Sequence, residues 1–542
     1  MRRVGAETEP TPGDAEPASD EATDEDETAA AETAGLAGRR GPELVLAALV
    51  WAYVAVFGTL TWRHHGAYGT FGFDMGIHDQ GIWLTSRFVE PFVTVRGMNY
   101  YGHHVNLVAV LYVPFYWLGA GPRFLYLTET VALALGAVPL FLLARLRFGS
   151  GRDGARTAGR DGARTAGWWA LVPAAAWLLH PSVQWINWWH WHPEAMAITP
   201  LLFAWWFAVR RRWWPFAGCV GLALLCKEDV ALAVLMLGVV LLLVRFGGGV
   251  GATAVRHLRA GVTTALAGLA WFLACTRLVI PAILGTTPFY ERQLFPEFGD
   301  SLGSVLWNIV TSPTKVASLA FESGRIEYYA KLLGPFGVLA PVAGFPMLLI
   351  GAPQVGVNVL SSLTGTYDIR FQYSSVVLVA VALASVEGVG WLWRSRRRSV
   401  RFLALTAVLA MAVGAVAGNM AWSPSPLGRE FDSGIWARRV PRHDTFDRAV
   451  RMVPEEASVS ASYYLIPHLA HRREAYEWPN PWILVNWGLS GEEAPDPDSV
   501  DYLVLDRALG QEPVLVESLI ADGGAYEVLL DQDGVLLARR RR

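Results

Sequence analysis

Nineteen consecutive residues, Leu44–Trp62, carry no charge, and ten more apolar stretches of 14 to 24 residues recur before residue 422. Hydrocarbon offers a backbone no hydrogen-bond partner, so runs of this kind that enter lipid must fold as helices. About 20 residues suffice to cross a hydrocarbon core of roughly 30 Å. The composition agrees: 53% of the 542 residues are hydrophobic and 17% charged, against roughly 25% charged in soluble domains. A wholly soluble protein is excluded.

Arginine then orders the stretches, because positive loops stay on the cytoplasmic side. Arg39 and Arg40 precede Leu44–Trp62, and Arg145, Arg147, Arg152, Arg156, Arg160 and Arg164 follow Phe124–Ala144. Both sets are cytoplasmic only if the 14-residue segment Val105–Leu118 does not cross, which makes it an interfacial element in a long outer loop, 63–122. The remaining stretches lie near 168–184, 195–209, 213–226, 230–244, 261–284, 329–343, 345–362, 373–393 and 402–421. Arg210–Arg212, the loop bearing Arg245, Arg256 and Arg259, and Arg394–Arg401 all fall inside. About eleven transmembrane helices result, with the amino terminus cytoplasmic and the carboxyl terminus outside the cytoplasmic membrane.

Three parts follow. Residues 1–42 are rich in Ala, Glu, Asp, Thr and Pro without a hydrophobic period, and read as a disordered acidic cytoplasmic tail. Residues 43–421 form the polytopic membrane domain. Residues 422–542 alternate short apolar runs (Ala457–Ala461, Tyr502–Leu505, Tyr526–Leu530, Val535–Ala538) with helix-like segments (Phe446–Met452, Pro513–Ile520), the pattern of a small extracytoplasmic α/β domain. The perfect tandem octapeptide GRDGARTA at 151–158 and 159–166 reads as a duplication in a tolerant loop. Cys219, Cys226 and Cys275 sit inside apolar runs and imply no disulfide framework. No basic domain suits nucleic acid.

The net charge of −3 conceals a sorting. Of the 17 acids between the tail and residue 419, thirteen fall in outer loops or at outer helix ends: Asp74, Asp79, Glu90, Glu129, Glu194, Glu228, Asp229, Glu291, Glu297, Asp300, Glu322, Glu327 and Asp368. Glu43, Asp153, Asp161 and Glu387 lie inside. The reactive groups therefore gather outside.

Five constellations stand there. In Phe73-Asp74-Met75-Gly76-Ile77-His78-Asp79-Gln80, Asp74 reads either as a helix cap or as a carboxylate that removes a proton from an acceptor hydroxyl. Asn99-Tyr100-Tyr101-Gly102-His103-His104 leads into the interfacial segment. Trp188-Trp189-His190-Trp191-His192-Pro193-Glu194 combines an aromatic belt with His-x-His-x-Glu, whose donors either line a pocket or hold a divalent metal. Lys227-Glu228-Asp229 marks the tip of a tight outer hairpin. Lysine occurs only three times in the chain (Lys227, Lys315, Lys331) against 42 arginines, and ionisable groups beside lipid are functional candidates by default. Lys227 reads as an anion contact or as an ion pair across two helix ends. Last, Asn358-Val359-Leu360-Ser361-Ser362 is followed by Tyr367-Asp368-Ile369-Arg370-Phe371-Gln372-Tyr373, which offers Arg370 as a second phosphate contact.

The motifs FDMGIHDQGIW, HHVN, HPE, KED and NVLSS…YDIRFQYS, in this order, resemble a bacterial family of polytopic membrane proteins of unknown function. The architecture resembles the GT-C glycosyltransferases, which include protein O-mannosyltransferases and aminoarabinose transferases. The resemblance covers roughly residues 44–540 and implies a GT-C-like bundle with interfacial helices in its first outer loop, transferring sugar from a polyprenyl-phosphate carrier to an acceptor outside the cytoplasm. It implies Asp74 as base with Asp79 as close alternative, and Lys227 and Arg370 as lipid-phosphate contacts. It further implies an acceptor pocket or metal site from His103, His104, His190, His192, Glu194, Glu228 and Asp229. The implied partners are membrane lipid and a lipid-linked sugar; no protein partner is named. The Asp-Glu and Arg-Tyr-x-Glu signatures of well-described GT-C branches are absent. Two rival readings are a transporter or lipid flippase, whose paired broken helices and inverted repeat are not seen, and a non-catalytic membrane assembly protein.

Overall fold

The computed structural model describes residues 40–149, 160–244, 257–288, 290, 294–489 and 495–541. The acidic segment 1–39, the octapeptide region 150–159, Arg245, Arg256 and Glu291 lie outside the described residues.

The uncharged run Leu44–Trp62 lies within one 26-residue helix, Gly41–Gly66, which has Pro42 in its first turn and Arg63, His64 and His65 in its last. At 1.5 Å per residue it extends about 39 Å, enough to span. Four further helices are long and apolar enough to cross a membrane: Pro122–Gly149, Leu258–Leu284, Gln372–Trp393 and Arg398–Trp422. Shorter apolar helices, Thr165–Leu179, Pro193–Val209, Trp213–Leu224, Val230–Leu243 and Phe345–Leu360, occupy five of the remaining expected stretches. The protein is thus a helical, multi-pass membrane protein.

The expected span 329–343 is not a continuous helix. Ser323–Leu333 gives way to a 3₁₀ turn, Gly334–Phe336, and a second helix begins only at Leu339. Pro335 has no N–H to continue the ladder, and Gly337 and Val338 both take positive φ. Helices elsewhere approach closely through small residues. A Cβ on Gly238 would stand 2.3 Å from Ala265 N, and one on Gly268 2.4 Å from Leu235 N, which is how helices pack where lipid supplies no hydrophobic drive.

Among the described residues, Glu43 and Glu387 at the arginine-bearing end are paired. Arg145 binds Glu43, and Arg147 reaches Glu387 at 2.7 Å, with Trp205 Nε1 donating to the same carboxyl at 2.8 Å.

The loop 63–122 is built rather than irregular. A π-helical turn, Gly72–Gly76, runs into helix Ile77–Ser86, and a short hairpin pairs β1 (Phe92–Val93) with β2 (Met98–Asn99). The interfacial segment is a 3₁₀ turn, Leu107–Tyr112, continued by helix Val113–Trp117, with Val110, Leu111, Phe115 and Trp117 exposed.

After Trp422 comes a five-stranded sheet of β3 (Val459–Ala461), β4 (Ala475–Glu477), β5 (Tyr502–Asp506), β6 (Tyr526–Gln532) and β7 (Val535–Arg540). Its order is β4-β3-β5-β7-β6. Strand β3 is parallel to β4 and β5, whereas β7 runs antiparallel to β5 and β6. Helices Arg442–Met452 and Pro513–Ile520 accompany it.

The edge strand β4 does not face solvent. Thr94 Oγ1 donates to Ala475 O at 2.9 Å and accepts from Ala475 N at 2.8 Å. Gln80 Nε2 donates to Arg472 O and Arg473 O at 3.2 Å each. The loop 63–122 thereby covers an edge that would otherwise template aggregation, and the seam between loop and sheet runs past Asp74.

Candidate functional site

Asp74 is carried by the π-helical turn, where its side chain caps no helix end. Its Oδ1 lies 3.6 Å from His192 Nε2. The opposite nitrogen of that ring, Nδ1, lies 3.0 Å from His190 O, and the His192 backbone N–H points to Glu129 Oε1 at 3.3 Å. A ring fixed on both sides keeps its tautomer and aim. Burial alone would push the Asp74 carboxyl up, but the hydrogen bond and charge of His192 outweigh it and hold Asp74 below the usual carboxylate range. The same contact outweighs burial at His192 and raises it. Asp74 and His192 therefore each favour the charged form of the other.

The rest of the cluster continues from His192. His78 meets its ring edge-on at 5.5 Å and places Nδ1 2.9 Å from the Tyr100 hydroxyl. Two residues on, Glu194 Oε1 binds Lys227 Nζ at 2.9 Å, and Asp229 Oδ2 lies 3.6 Å from the same ammonium. Burial works against the charge of Lys227, yet Asp229, Glu194 and Glu228 together raise its pKa. Glu228 accepts from Val105 N at 3.0 Å and meets His104 Nδ1 at 2.7 Å, with the His103 ring 4.5 Å from that of His104. Asp74, His103, His104, His192, Glu194, Lys227, Glu228 and Asp229 thus form one connected polar cluster where the helices meet the loop 63–122.

Three candidates stand differently. His190 Nε2 accepts from Phe71 N at 3.2 Å, so it props the chain entering the Asp74 turn. Asp79 is fully buried, with Oδ1 accepting from the Tyr116 hydroxyl at 2.7 Å and lying 3.0 Å from His471 Nε2. Arg370 is exposed and paired with Asp368 at 2.6 Å, and its other charged neighbour is Glu430 rather than anything in the cluster. The motif around it organises the loop instead. Asn358 Nδ2 donates to the Tyr328 hydroxyl and to Tyr373 O, while Asn358 O accepts from Thr366 Oγ1.

The metal reading of His-x-His-x-Glu is not met by the geometry. Among the described residues no three His, Cys, Asp or Glu side chains converge as a metal site: His190 faces Phe71, His192 faces Asp74, and Glu194 faces Lys227. The cysteines are free thiols. The sequence reading passed over His471 and Glu477, which come from the C-terminal domain, and gave no role to His78, although it lies within a quoted motif.

In overall fold the chain is similar to ArnT from Cupriavidus metallidurans, solved in the apo state. The TM-score is 0.51 at 14% identity, over 92% of this chain and 97% of that one. At this identity the likeness speaks for the fold alone. No curated protein matches the sequence. Residues 68–537, most of the chain and every residue of the polar cluster, match the family described as predicted membrane protein (DUF2079), and this protein belongs to that family.

Proposed function

We propose that this protein is a glycosyltransferase of the GT-C type that moves a sugar from a polyprenyl-phosphate carrier to an acceptor hydroxyl at the outer face of the cytoplasmic membrane. The observation that carries the reading is the Asp74–His192 pair, a carboxylate held below its usual pKa range where the loop 63–122 packs against the terminal sheet domain. In this reading the amino terminus is cytoplasmic and the sheet domain extracytoplasmic.

Asp74 accepts the proton of the acceptor hydroxyl as that oxygen attacks the sugar, while His192 fixes the carboxylate's direction. Lys227 stands where charge grows on the leaving phosphate. Glu194 and Asp229 use two of its three N–H donors and keep it charged, which leaves one for a phosphate oxygen. His78, His103 and His104 line the acceptor side as neutral donors and acceptors, because burial pushes all three well below the usual histidine range. Asp79 and Arg370 take no part in this step.

The test is transfer by purified full-length protein from prenyl-phosphate-linked sugars. Asp74→Asn is expected to lower the rate by about 10²–10⁴-fold with protein level and thermal stability retained. Transfer at the wild-type rate in that variant sinks the assignment. Uptake of a lipid-linked sugar into proteoliposomes without any acceptor turns the reading to a flippase.

A further inference from the structure

Asp79, Trp83 and Arg87 follow one another at intervals of one helical turn, so the helix Ile77–Ser86 and the residue that ends it set them in one stripe. Only the first is hidden. Asp79 is fully buried, and His471 of the sheet domain reaches across to it: Nε2 lies 3.0 Å from Oδ1, which also accepts from the Tyr116 hydroxyl at 2.7 Å. One turn on, the Trp83 ring lies 6.1 Å from that of His471 and is inclined to it by 20°, and the Arg87 guanidinium sits over the same indole at 5.6 Å. His471 is thus held by its inward nitrogen and by one face, while its ring is partly exposed and Nδ1 has no partner among the described residues. With both ring nitrogens protonated, Nε2–H goes to Asp79 and Nδ1–H is left for a ligand. Burial opposes that charged form, but the Asp79 carboxylate outweighs it. Arg87, exposed and without an ion-pair partner among the described residues, brings a second cation.

Beside the two cations the surface is apolar. Phe88 follows Arg87 in the left-handed conformation at φ 57°, just past a helix end, where glycine is usual. A bulky residue is strained there, yet Phe88 is 85% exposed. Its ring lies 6.0 Å from that of Trp117, whose Nε1 donates to Ser86 O at 2.7 Å. Phe115, Trp117 and Leu118 are exposed in their turn. The segment Leu107–Trp117 is too short to cross a hydrocarbon core. One strip therefore carries large apolar side chains at one side and two cations around an indole at the other, the order of acyl chain and phosphate in a phospholipid. Both charges that flank Trp83 are positive, which selects an anionic headgroup over a zwitterionic one.

We propose that Arg87, Trp83 and His471 form a site for the phosphate of an anionic membrane phospholipid whose acyl chains lie along Phe88, Trp117 and Leu118. Arg87 offers its guanidinium N–H groups and His471 its Nδ1–H to the phosphate oxygens, and Trp83 holds both cations against its ring. Arg87 comes from the loop 63–122 and His471 from the sheet domain, so the headgroup bridges the two and docks the domain on the membrane. The site shares no residue with the cluster of Asp74 and Lys227 and does not depend on the transferase reading.

The probe is phosphatidylglycerol with a photoactivatable acyl chain, a trace component of phosphatidylcholine vesicles that hold the full-length protein. Peptide mass spectrometry compares it with the same chain on phosphatidylcholine. Label is expected on the peptide of Phe88 and on that of Trp117 and Leu118. One basic side chain at an anionic surface contributes about 1 kcal/mol, or about fivefold. Phosphatidylglycerol should therefore outlabel phosphatidylcholine by at least about fivefold, and Arg87→Gln and His471→Gln should each lower that excess by about fivefold. Arg87→Gln leaves the Asp79 contact intact, so its result stands even where His471→Gln disturbs docking. Arg370→Ala, which removes an equal charge elsewhere, should keep the excess. Equal labelling by the two lipids, an excess unchanged in Arg87→Gln, or one that Arg370→Ala lowers equally overturns the proposal. So does an excess abolished by inorganic phosphate but not by chloride at equal ionic strength, which makes the site one for a free anion. An excess abolished by a prenyl phosphate overturns it too, because the site then belongs to that lipid.

Discussion

His471 Nε2 lies 3.0 Å from Asp79 Oδ1, so a buried carboxylate of the loop 63–122 holds a histidine of the C-terminal domain. Burial lowers His471, but the charge and hydrogen bond of Asp79 outweigh it and raise its pKa, against opposition from Arg87 and Arg472. A pKa raised on folding means that the contact stabilises fully below the unfolded value of about 6.5 and is lost as pH climbs through the folded one. Docking of the domain is therefore expected to weaken as pH rises above about 6.5. His471 is 40% exposed, so after solvent screening the effect is about 1 kcal/mol or less. Thermal unfolding of wild type should shift down over this rise, and His471→Gln should flatten the dependence. Equal slopes in the two proteins would remove the pair from domain docking.

Gly72 is a close approach in the same seam. A Cβ there meets Glu477 Oε2 at 2.9 Å, and Tyr463 O and Ile466 Cβ at 3.0 Å each. The Glu477 carboxyl can swing away, but Tyr463 O is backbone and Ile466 Cβ is fixed to it, so Gly72→Ala is expected to cost about 1–3 kcal/mol, as overpacking does. Limited proteolysis should cut this variant faster between helix Arg398–Trp422 and the sheet. Wild-type resistance would mean that the turn shifts freely.

The membrane helices were legible because length and absence of charge are properties of contiguous residues: Leu44–Trp62 declares itself without knowledge of any partner. The stretch 329–343 misled for the same reason, since its hydropathy is continuous while Pro335 and Gly337 break the backbone. In the site, Lys227 stands out as an ionisable group where lipid makes charge expensive, whereas Asp74 and His192 are singled out by the motifs that hold them. What was illegible is pairing across the chain. Nothing local to Asp79 says that Tyr116 and His471 will bury it, and nothing local to Glu477 says that it will face Gly72, some 400 residues earlier. Arg370 is the instructive opposite, because Asp-x-Arg places its partner two residues away and the pair was written in the sequence.

Lys227 is predicted to be a group whose removal costs more than its contacts supply. Glu194 lies 2.9 Å away and Asp229 3.6 Å, with both carboxylates largely shielded from water. Lys227→Met strands them, and breaking a buried pair from one side costs about 3–5 kcal/mol. Adding Glu194→Gln should recover part of that loss, so a double-mutant cycle on thermal stability is expected to show non-additivity of about 0.5–3 kcal/mol. Strict additivity would mean that the two side chains do not interact in the folded protein.

Arg370 supplies the contrast that separates a phosphate contact from a surface ion pair. Its side chain is 56% exposed and bound by Asp368, two residues before it. An exposed pair contributes about 0–1 kcal/mol, so Arg370→Ala should leave stability nearly unchanged. The cluster that holds Asp74 and Lys227 does not include Arg370, so transfer and prenyl-phosphate binding should stay within about twofold of wild type, a change worth about 0.4 kcal/mol. Lys227→Met should lose binding in the same assay. If Arg370→Ala instead loses prenyl-phosphate binding at unchanged stability, the guanidinium must leave Asp368 when the lipid arrives, and the phosphate subsite extends to that loop.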